Sequence, residues 1–346
     1  MEGSIIKRVE ITAVHQETAH SRTLTLKPLD GWQPEYRAGQ FITLVFYTAS
    51  GEQRRSYSFS SSPDAETHLM ITVKKMDNGA FSRWLVYKAQ PGDILHTSGI
   101  GGFFVLPEKI VSKTFCFLAA GSGITPCFSL IKTILLTTRQ KVFLFYSNRN
   151  EATTIFLEAL KDLRDRFPDR FVIHFLFSYK MDIYESRLSH WLLTHLLDLY
   201  FKEIKKEELL FYLCGSFDYM LMITISLRNN GIQNQQIFKE EFNPLPPVKR
   251  LLPPDQQAHE VTLHVAGKSY TITVQYPQSI TAAARQNQIE VPYSCEAGRC
   301  GSCVATCISG KIWMAYNEVL TADEIARGRV LTCQGFPVEG NAEIVY

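Results

Sequence analysis

Between residues 1 and 110, apolar positions recur with period two or in short runs, at Val9 to Val14, Ser21 to Leu26, Phe41 to Phe46 and Leu69 to Val73, with glycine and proline turns between them. Period two sends successive side chains to opposite faces of a pleated strand, so this stretch predicts a small antiparallel β-barrel. From Lys113 the spacing changes. Short apolar runs at Phe115 to Ala119, Val142 to Tyr146, Val172 to Phe177 and Leu210 to Cys214 alternate with helical stretches at Ile124 to Leu136, Ile155 to Phe167 and Tyr219 to Asn229. Such alternation predicts an α/β unit, a doubly wound parallel sheet over 111–242. Five of the eleven residues from Pro244 to Pro254 are proline, which predicts an extended connector over 243–257. In the last unit, 258–346, Val261 to Val265 and Tyr270 to Val274 flank Ala266-Gly267-Lys268-Ser269 as a hairpin, and a helix follows around Ile280 to Gln286.

Composition supports three units. At 346 residues the chain exceeds what one core organises, and 45% apolar content is enough to fill several. A net charge of +2 without a polybasic tract argues against nucleic acid or an anionic membrane as partner, leaving small molecules and proteins. The first residues lack the charged-then-apolar order of a signal peptide, and no apolar run is long enough to span a bilayer, so a cytoplasmic location is expected. Oligomeric state is not written in these features.

Chemistry enters with the cysteines. Four of eight, Cys295, Cys300, Cys303 and the distant Cys333, have the CxxxxCxxC…C spacing of plant-type [2Fe–2S] ligands. Small residues lie between them, and Gly298 and Gly301 can supply positive-φ turns and bare amides around inorganic sulfide. Structural zinc is the alternative, but zinc ligands tend to come as CxxC pairs, and only Cys300 and Cys303 are so spaced. Cys116, Cys127 and Cys214 stand singly, outside any disulfide framework.

Other motifs fit a redox protein. In Arg54-Arg55-Ser56-Tyr57-Ser58, Arg55 and Tyr57 share one strand face, a cation suited to a pyrophosphate beside a ring suited to a planar heterocycle. An ordinary edge strand with surface arginines is the alternative. Asn78-Gly79-Ala80-Phe81-Ser82 opens a short helix to Tyr87 and offers amides to a phosphate, or is a simple helix start. Gly99-Ile100-Gly101-Gly102-Phe103 is a third glycine-rich turn, after the strand around Ile94 to His96, with an ordinary hairpin loop as the alternative. After the strand ending at Ala119, Gly121-Ser122-Gly123-Ile124-Thr125-Pro126 leads into a helix, with Thr125 expected as cap and Pro126 as first helical residue, a place for a dinucleotide pyrophosphate. Cys214-Gly215 likewise ends a strand, where ligands of open α/β sheets gather.

In this order, Arg55 to Ser58, Gly79 to Ser82, Gly121 to Pro126, Cys214-Gly215 and Glu240-Glu241-Phe242 resemble the ferredoxin–NADP reductase superfamily. With the C-terminal cysteine pattern, the whole chain is similar to oxygenase reductase components of the phenylacetyl-CoA epoxidase reductase type. The resemblance implies an antiparallel β-barrel FAD domain, a parallel-sheet NAD(P) domain and a β-grasp ferredoxin domain. It further implies that Arg55 binds the FAD pyrophosphate, Ser56 lies at the flavin, Tyr57 packs on the isoalloxazine and Ser58 reaches near flavin N5. Gly79, Ala80, Phe81 and Ser82 would hold phosphate, and Gly121, Ser122, Gly123 and Thr125 the nicotinamide dinucleotide. Cys214, Gly215, Glu240 and Phe242 would border the reacting rings, with Ser58, Cys214, Glu240 and Phe242 at the catalytic centre. Cys333 matches the family's late ligand, while Cys307 would continue a strand. At the third turn Ile100-Gly101-Gly102 stands where the family carries proline before glycine.

The implied function is a relay: NADPH or NADH delivers an electron pair, FAD divides it, and the [2Fe–2S] cluster passes single electrons to a terminal oxygenase or other acceptor protein. Arg149, after the strand ending at Tyr146, could accept a 2′-phosphate, which leans the coenzyme toward NADPH, although Glu151 is near. The alternative is a non-enzymatic iron–sulfur redox sensor or regulatory module.

Overall fold

The structure is a computed structural model that describes residues 6–49, 51–108, 110, 112–184, 186–242 and 252–346. The first unit comprises β1 (Lys7–Thr18), β2 (Ser21–Pro28), β3 (Phe41–Thr48), β4 (Gly51–Ser58), β5 (Leu69–Lys74), α1 (Ala80–Tyr87) and β6 (Ile94–Gly101). Its sheet has the order β4-β3-β6-β1-β2-β5 with antiparallel pairs, and a bridge between Phe59 and Ile71 joins the outer strands into a barrel. Val9, Ile11, Leu24, Ile42, Leu44 and Ile71 fill the interior, as period-two alternation requires. The third glycine turn is not a hairpin loop. Gly99 to Gly101 continue β6, with Ile100 opposite Ile42 and a register shift that absorbs the extra residue.

The second unit runs β7 (Thr114–Ala120), α2 (Ile124–Thr137), β8 (Val142–Asn148), α3 (Leu157–Arg166), β9 (Phe171–Phe177), α4 (His190–Phe201), β10 (Leu209–Cys214), α5 (Phe217–Asn229) and β11 (Ile237–Glu240). All strand pairs in the order β11-β10-β7-β8-β9 are parallel. Both faces are covered: Phe115 and Phe117 point to the core under α2 and α3, and Cys116 and Leu118 to the core under α4 and α5.

The third unit has β12 (His259–Val265), β13 (Lys268–Val274), α6 (Ile280–Gln286), β14 (Val304–Ser309), β15 (Ile312–Met314), α7 (Ala322–Ala326), β16 (Arg329–Leu331), β17 (Gly335–Pro337) and β18 (Ala342–Val345). The mixed sheet β13-β12-β18-β14-β16 carries α6, and the expected hairpin is tighter than the four residues read for it: Ala266 and Gly267 alone make the turn, with φ of 50° and 75°, while Lys268 and Ser269 pair within β13. Residues 243–251 of the expected connector lie outside the described residues. No helix among the described residues is long and apolar enough to cross a membrane.

The units meet along defined seams. Between the first and second, Ser129 donates to the Ser61 carbonyl at 2.5 Å, Ser62 bonds Thr133 at 2.6 Å, and Lys132 pairs with Glu66. Between the first and third, β4 lies against the segment from Val291 to Ser294 that leads into the cysteine loop.

Candidate electron-transfer site

The cysteine loop is shaped by backbone. Glu296, Gly298 and Gly301 take φ of 52°, 72° and 72°, which curls residues 295–303 so that amides point inward. The amide of Ala297 lies 3.4 Å from Cys295 Sγ and that of Cys295 3.5 Å from Cys300 Sγ. The Cys300 thiol and these loop amides pull the Cys295 thiol down, while Cys300 is pushed up by the same shared bond and by burial. Cys333, brought back after β16, lies close enough to Cys303 that the neighbouring thiol, together with burial, raises it. The four sulfurs thus fall into two pairs, Cys295 with Cys300 and Cys303 with Cys333. Two thiolates per iron, with amides left for sulfide, suit a [2Fe–2S] cluster better than one tetrahedral ion. Cys307 instead lies on β14, its thiol 3.3 Å from the Ser309 carbonyl.

On β4 the two faces differ. Arg55 is exposed, its guanidinium 5.4 Å from the Phe81 ring, so the strand motif and the Gly79 to Ser82 turn are brought together. Phe81 in turn stacks on Phe46 at 4.2 Å. Tyr57 is half-buried, and burial pushes its phenol above the ordinary range. Ser58 is buried at the strand end. Ser56 does not share this face: its hydroxyl bonds Thr43 at 2.9 Å and Ser294 of the third unit at 2.7 Å. At α1, Ser82 accepts from the Met76 amide and donates to the Gly79 carbonyl, both at 3.1 Å, and Ala80 is exposed. The helix begins with no side-chain cap and no acidic first-turn residue, which leaves its leading amides for an anion.

Thr125 is not the cap expected of it. Gly121–Gly123 form a short 3-10 turn and α2 starts at Ile124 with Gly123 before it, so Thr125 sits inside the first turn and donates to the Ser122 carbonyl at 2.9 Å. The dipeptide Thr-Pro resembles a cap and first helical residue, but the 3-10 turn winds the chain earlier. This start too has no side-chain cap or acidic residue. Gly123 is needed for space, since a Cβ there would overlap the Cys214 carbonyl, and Gly215 lies where one would meet Tyr219 Cδ1 at 2.8 Å. Cys214 is buried and pairs in register with Glu240 on β11. Burial pushes the Glu240 carboxyl up to about 8, with Cys295 and Glu241 adding to the effect. Phe242 leaves 42% of its surface exposed, and Arg149 is exposed beyond β8.

Four residues escaped the sequence analysis. Lys74, at the end of β5, brings its ammonium to 3.2 Å from where a Cβ of Gly121 would be, and burial lowers its pKa. Asn148, at the end of β8, buries an Nδ2 that finds no hydrogen-bond partner among the described residues. Arg54 and Arg299 bridge units: Arg299, between two cluster ligands, pairs with Glu241 at 3.0 Å and Glu318 at 3.2 Å. Only the alternation of β4 hinted at any of them, by placing Arg54 opposite to Arg55.

A barrel, a parallel sheet with uncapped helix starts and a cysteine loop of paired thiols, in that order, suit a flavin- and nicotinamide-dependent iron–sulfur reductase. Residues 9–105 match the oxidoreductase FAD-binding domain, 117–224 the oxidoreductase NAD-binding domain and 263–338 the 2Fe-2S iron-sulfur cluster binding domain. The ferredoxin reductase component of 3-ketosteroid-9-alpha-monooxygenase from Mycolicibacterium smegmatis is 30% identical over 99% of this chain and 98% of its own. A component chain of the 1,2-phenylacetyl-CoA epoxidase from Escherichia coli is 30% identical over 96% of each. The solved phthalate dioxygenase reductase, a modular structure for electron transfer from pyridine nucleotides to [2Fe–2S], shares the fold with a TM-score of 0.60 at 23% identity, over 98% of this chain and 97% of that one. The chain belongs to the ferredoxin–NADP reductase superfamily, among the reductases with a C-terminal 2Fe–2S domain. It is an NAD(P)H-dependent oxidoreductase that uses FAD and a [2Fe–2S] cluster.

Proposed function

We propose that the chain is the reductase component of a multicomponent oxygenase, taking electrons from NAD(P)H and handing them to an oxygenase protein. One observation carries this: β4, the β10–β11 strand ends and the cysteine loop converge, with Ser56 on Ser294, Cys214 beside Glu240, and Glu241 on Arg299. The bound cofactors supply the conversion of one hydride, carrying two electrons, into two single-electron deliveries, with its one proton released to solvent. The protein's residues bind and orient. Arg55 and the leading amides of α1 would hold the FAD pyrophosphate, Tyr57 would lie on the isoalloxazine and Ser58 would bond near its N5. Gly121 to Thr125, with the Lys74 ammonium and the Asn148 amide, would seat the dinucleotide. Phe242 would cover the flavin face until nicotinamide displaces it, and Cys214, Gly215 and Glu240 would line that exchange. Arg149 would favour NADPH through its 2′-phosphate. Cys295 and Cys300 would hold one iron, Cys303 and Cys333 the other. The functional boundaries proposed are 1–110, 111–242, a connector over 243–257, and 258–346.

The test is anaerobic mixing of purified protein with NADPH or NADH, with flavin, iron, sulfide and zinc quantified beforehand. Bleaching of flavin and then cluster absorbance within turnover time is expected. Zinc in place of iron, or no coenzyme-driven bleaching, would overturn it.

A further inference from the structure

Strand β4 turns a different set of side chains to its other face. Glu52, Arg54 and Ser56 all point toward the ferredoxin domain, opposite to Arg55 and Tyr57. Arg54 is 8% exposed. Its Nε donates to Glu52 at 2.7 Å, and Nη1 donates to the carbonyls of Val291 at 3.2 Å and Tyr293 at 3.3 Å. The guanidinium also lies 3.8 Å from the Tyr293 ring centroid, and the Tyr293 hydroxyl donates to Glu52 at 3.2 Å. A buried guanidinium is tolerated only when its donors are met, and this one is met largely from another domain. In the chain Tyr293 is followed by Ser294, held on Ser56, and then directly by the cluster ligand Cys295. Nearby, Phe103 of the FAD domain packs on the ferredoxin core, its ring where a Cβ of Gly301 would be.

We infer that Arg54 is a positioning residue that seats the cluster loop against the flavin strand, so that one strand holds flavin through Arg55 and Tyr57 and the iron–sulfur domain through Glu52, Arg54 and Ser56. The inference rests on the proposed flavin role of the Arg55 face. Arg54 neither gives nor takes an electron; it fixes the separation across which each of the two electrons from one hydride must cross in turn. A guanidinium is suited because its planar fork meets two carbonyls while its face covers a ring, which a lysine cannot do.

The experiment compares holoprotein carrying Arg54→Met and Arg54→Lys with wild type by anaerobic stopped flow and by small-angle X-ray scattering. In Arg54→Met, flavin and iron content and the rate of flavin bleaching by NAD(P)H stay as in wild type. Cluster bleaching slows severalfold, because electron tunnelling falls exponentially with the separation that the seat no longer fixes, and the radius of gyration rises. Arg54→Lys falls between the two. Unchanged cluster bleaching, whether or not the scattering expands, overturns the inference, as does loss of flavin binding, which would place Arg54 in the flavin site. Wild-type protein that NAD(P)H fails to bleach overturns the proposed relay instead, and in that case expansion of Arg54→Met in scattering would still support the seat.

Discussion

Replacing Gly298 by alanine strains the cluster loop where it is tightest. The residue has φ of 72°, and a Cβ there would lie 2.8 Å from the Tyr316 carbonyl oxygen, 3.0 Å from Gln334 Cγ and 3.2 Å from Tyr316 Cδ1. Ordinary contact begins at 3.4 Å, so the loop must retreat by 3.4 − 2.8 = 0.6 Å from a backbone atom. The surroundings resist, because Glu318 N donates to the Gly298 carbonyl at 3.1 Å and Ala315 N to the Gln334 carbonyl at 2.9 Å. Left-handed backbone costs an L-residue about 1–2 kcal/mol, and overpacking costs about 1–3 kcal/mol, for a sum of about 2–5 kcal/mol. In a domain of roughly 60–100 residues each kcal/mol moves the midpoint by about 4–8 °C, so the ferredoxin transition should fall by about 8 °C or more. Calorimetry reads that shift, and iron and sulfide per chain read the cluster. Reduction of ferricyanide, which flavin can serve directly, should persist while cluster-dependent reduction of cytochrome c is lost. A full complement of iron with an unshifted ferredoxin transition would refute the geometry.

Further outcomes follow from single contacts. Cys307→Ser should keep the cluster's iron and its spectrum whereas Cys333→Ser should lose them; the reverse would exchange their roles. Lys132→Met removes a cation whose side chain is 8% exposed from a partner that is 25% exposed. Because Glu66 can partly rehydrate, the loss should sit near or below the low end of the usual ~3–5 kcal/mol, read as a lower denaturation midpoint of the FAD and NAD(P) units. Arg149→Ala should raise the KM for NADPH about tenfold more than that for NADH, the size of one charge-assisted contact, and equal changes would remove Arg149 from coenzyme choice. Asp255 is held below its usual 3.8 by the Gln257 amide, by His259 and by the Glu339 amide. A depressed carboxyl stabilises above pH 3.8 and loses that contribution as pH falls through its lower folded value. Asp255→Asn should therefore melt earlier than wild type near pH 6 and converge with it at the acid end, in thermal scans of apoprotein; a gap independent of pH would contradict the assignment.

What could be read from the sequence was local. The barrel strands follow from period two, and the cysteine spacing and its positive-φ glycines are contained within nine residues. Helix α4 went unread although Leu192, Leu193, Leu196 and Leu197 recur at helical spacing and Ser189 caps it through the Leu192 amide, because the exposed Trp191 and Leu199 add apolar residues on the opposite face and blur the stripe. Strands β15, β16 and β17 have three residues each, too short for any period to show. Thr125 and the Gly99 turn misled for the same reason: residue type alone does not reveal that a 3-10 turn precedes α2 or that a register shift draws glycines into β6.

The seat of the iron–sulfur domain was hidden for a different physical reason. Alternation separates buried from solvated positions, and on β4 neither side reads as core, since both carry Arg, Glu, Gln, Ser or Tyr. Whether such a face meets solvent, a cofactor or another domain is decided by partners far along the chain, here 237 residues from Arg54 to Val291. Alternation put the two adjacent arginines on opposite faces but left Arg54 without a partner, and the fold gives them different neighbours, Phe81 for Arg55 and Tyr293 for Arg54. The consequence is a division that mutations can separate: changes at odd positions of β4 should alter flavin retention, and Glu52 and Arg54 on the even side should alter only the step between flavin and cluster.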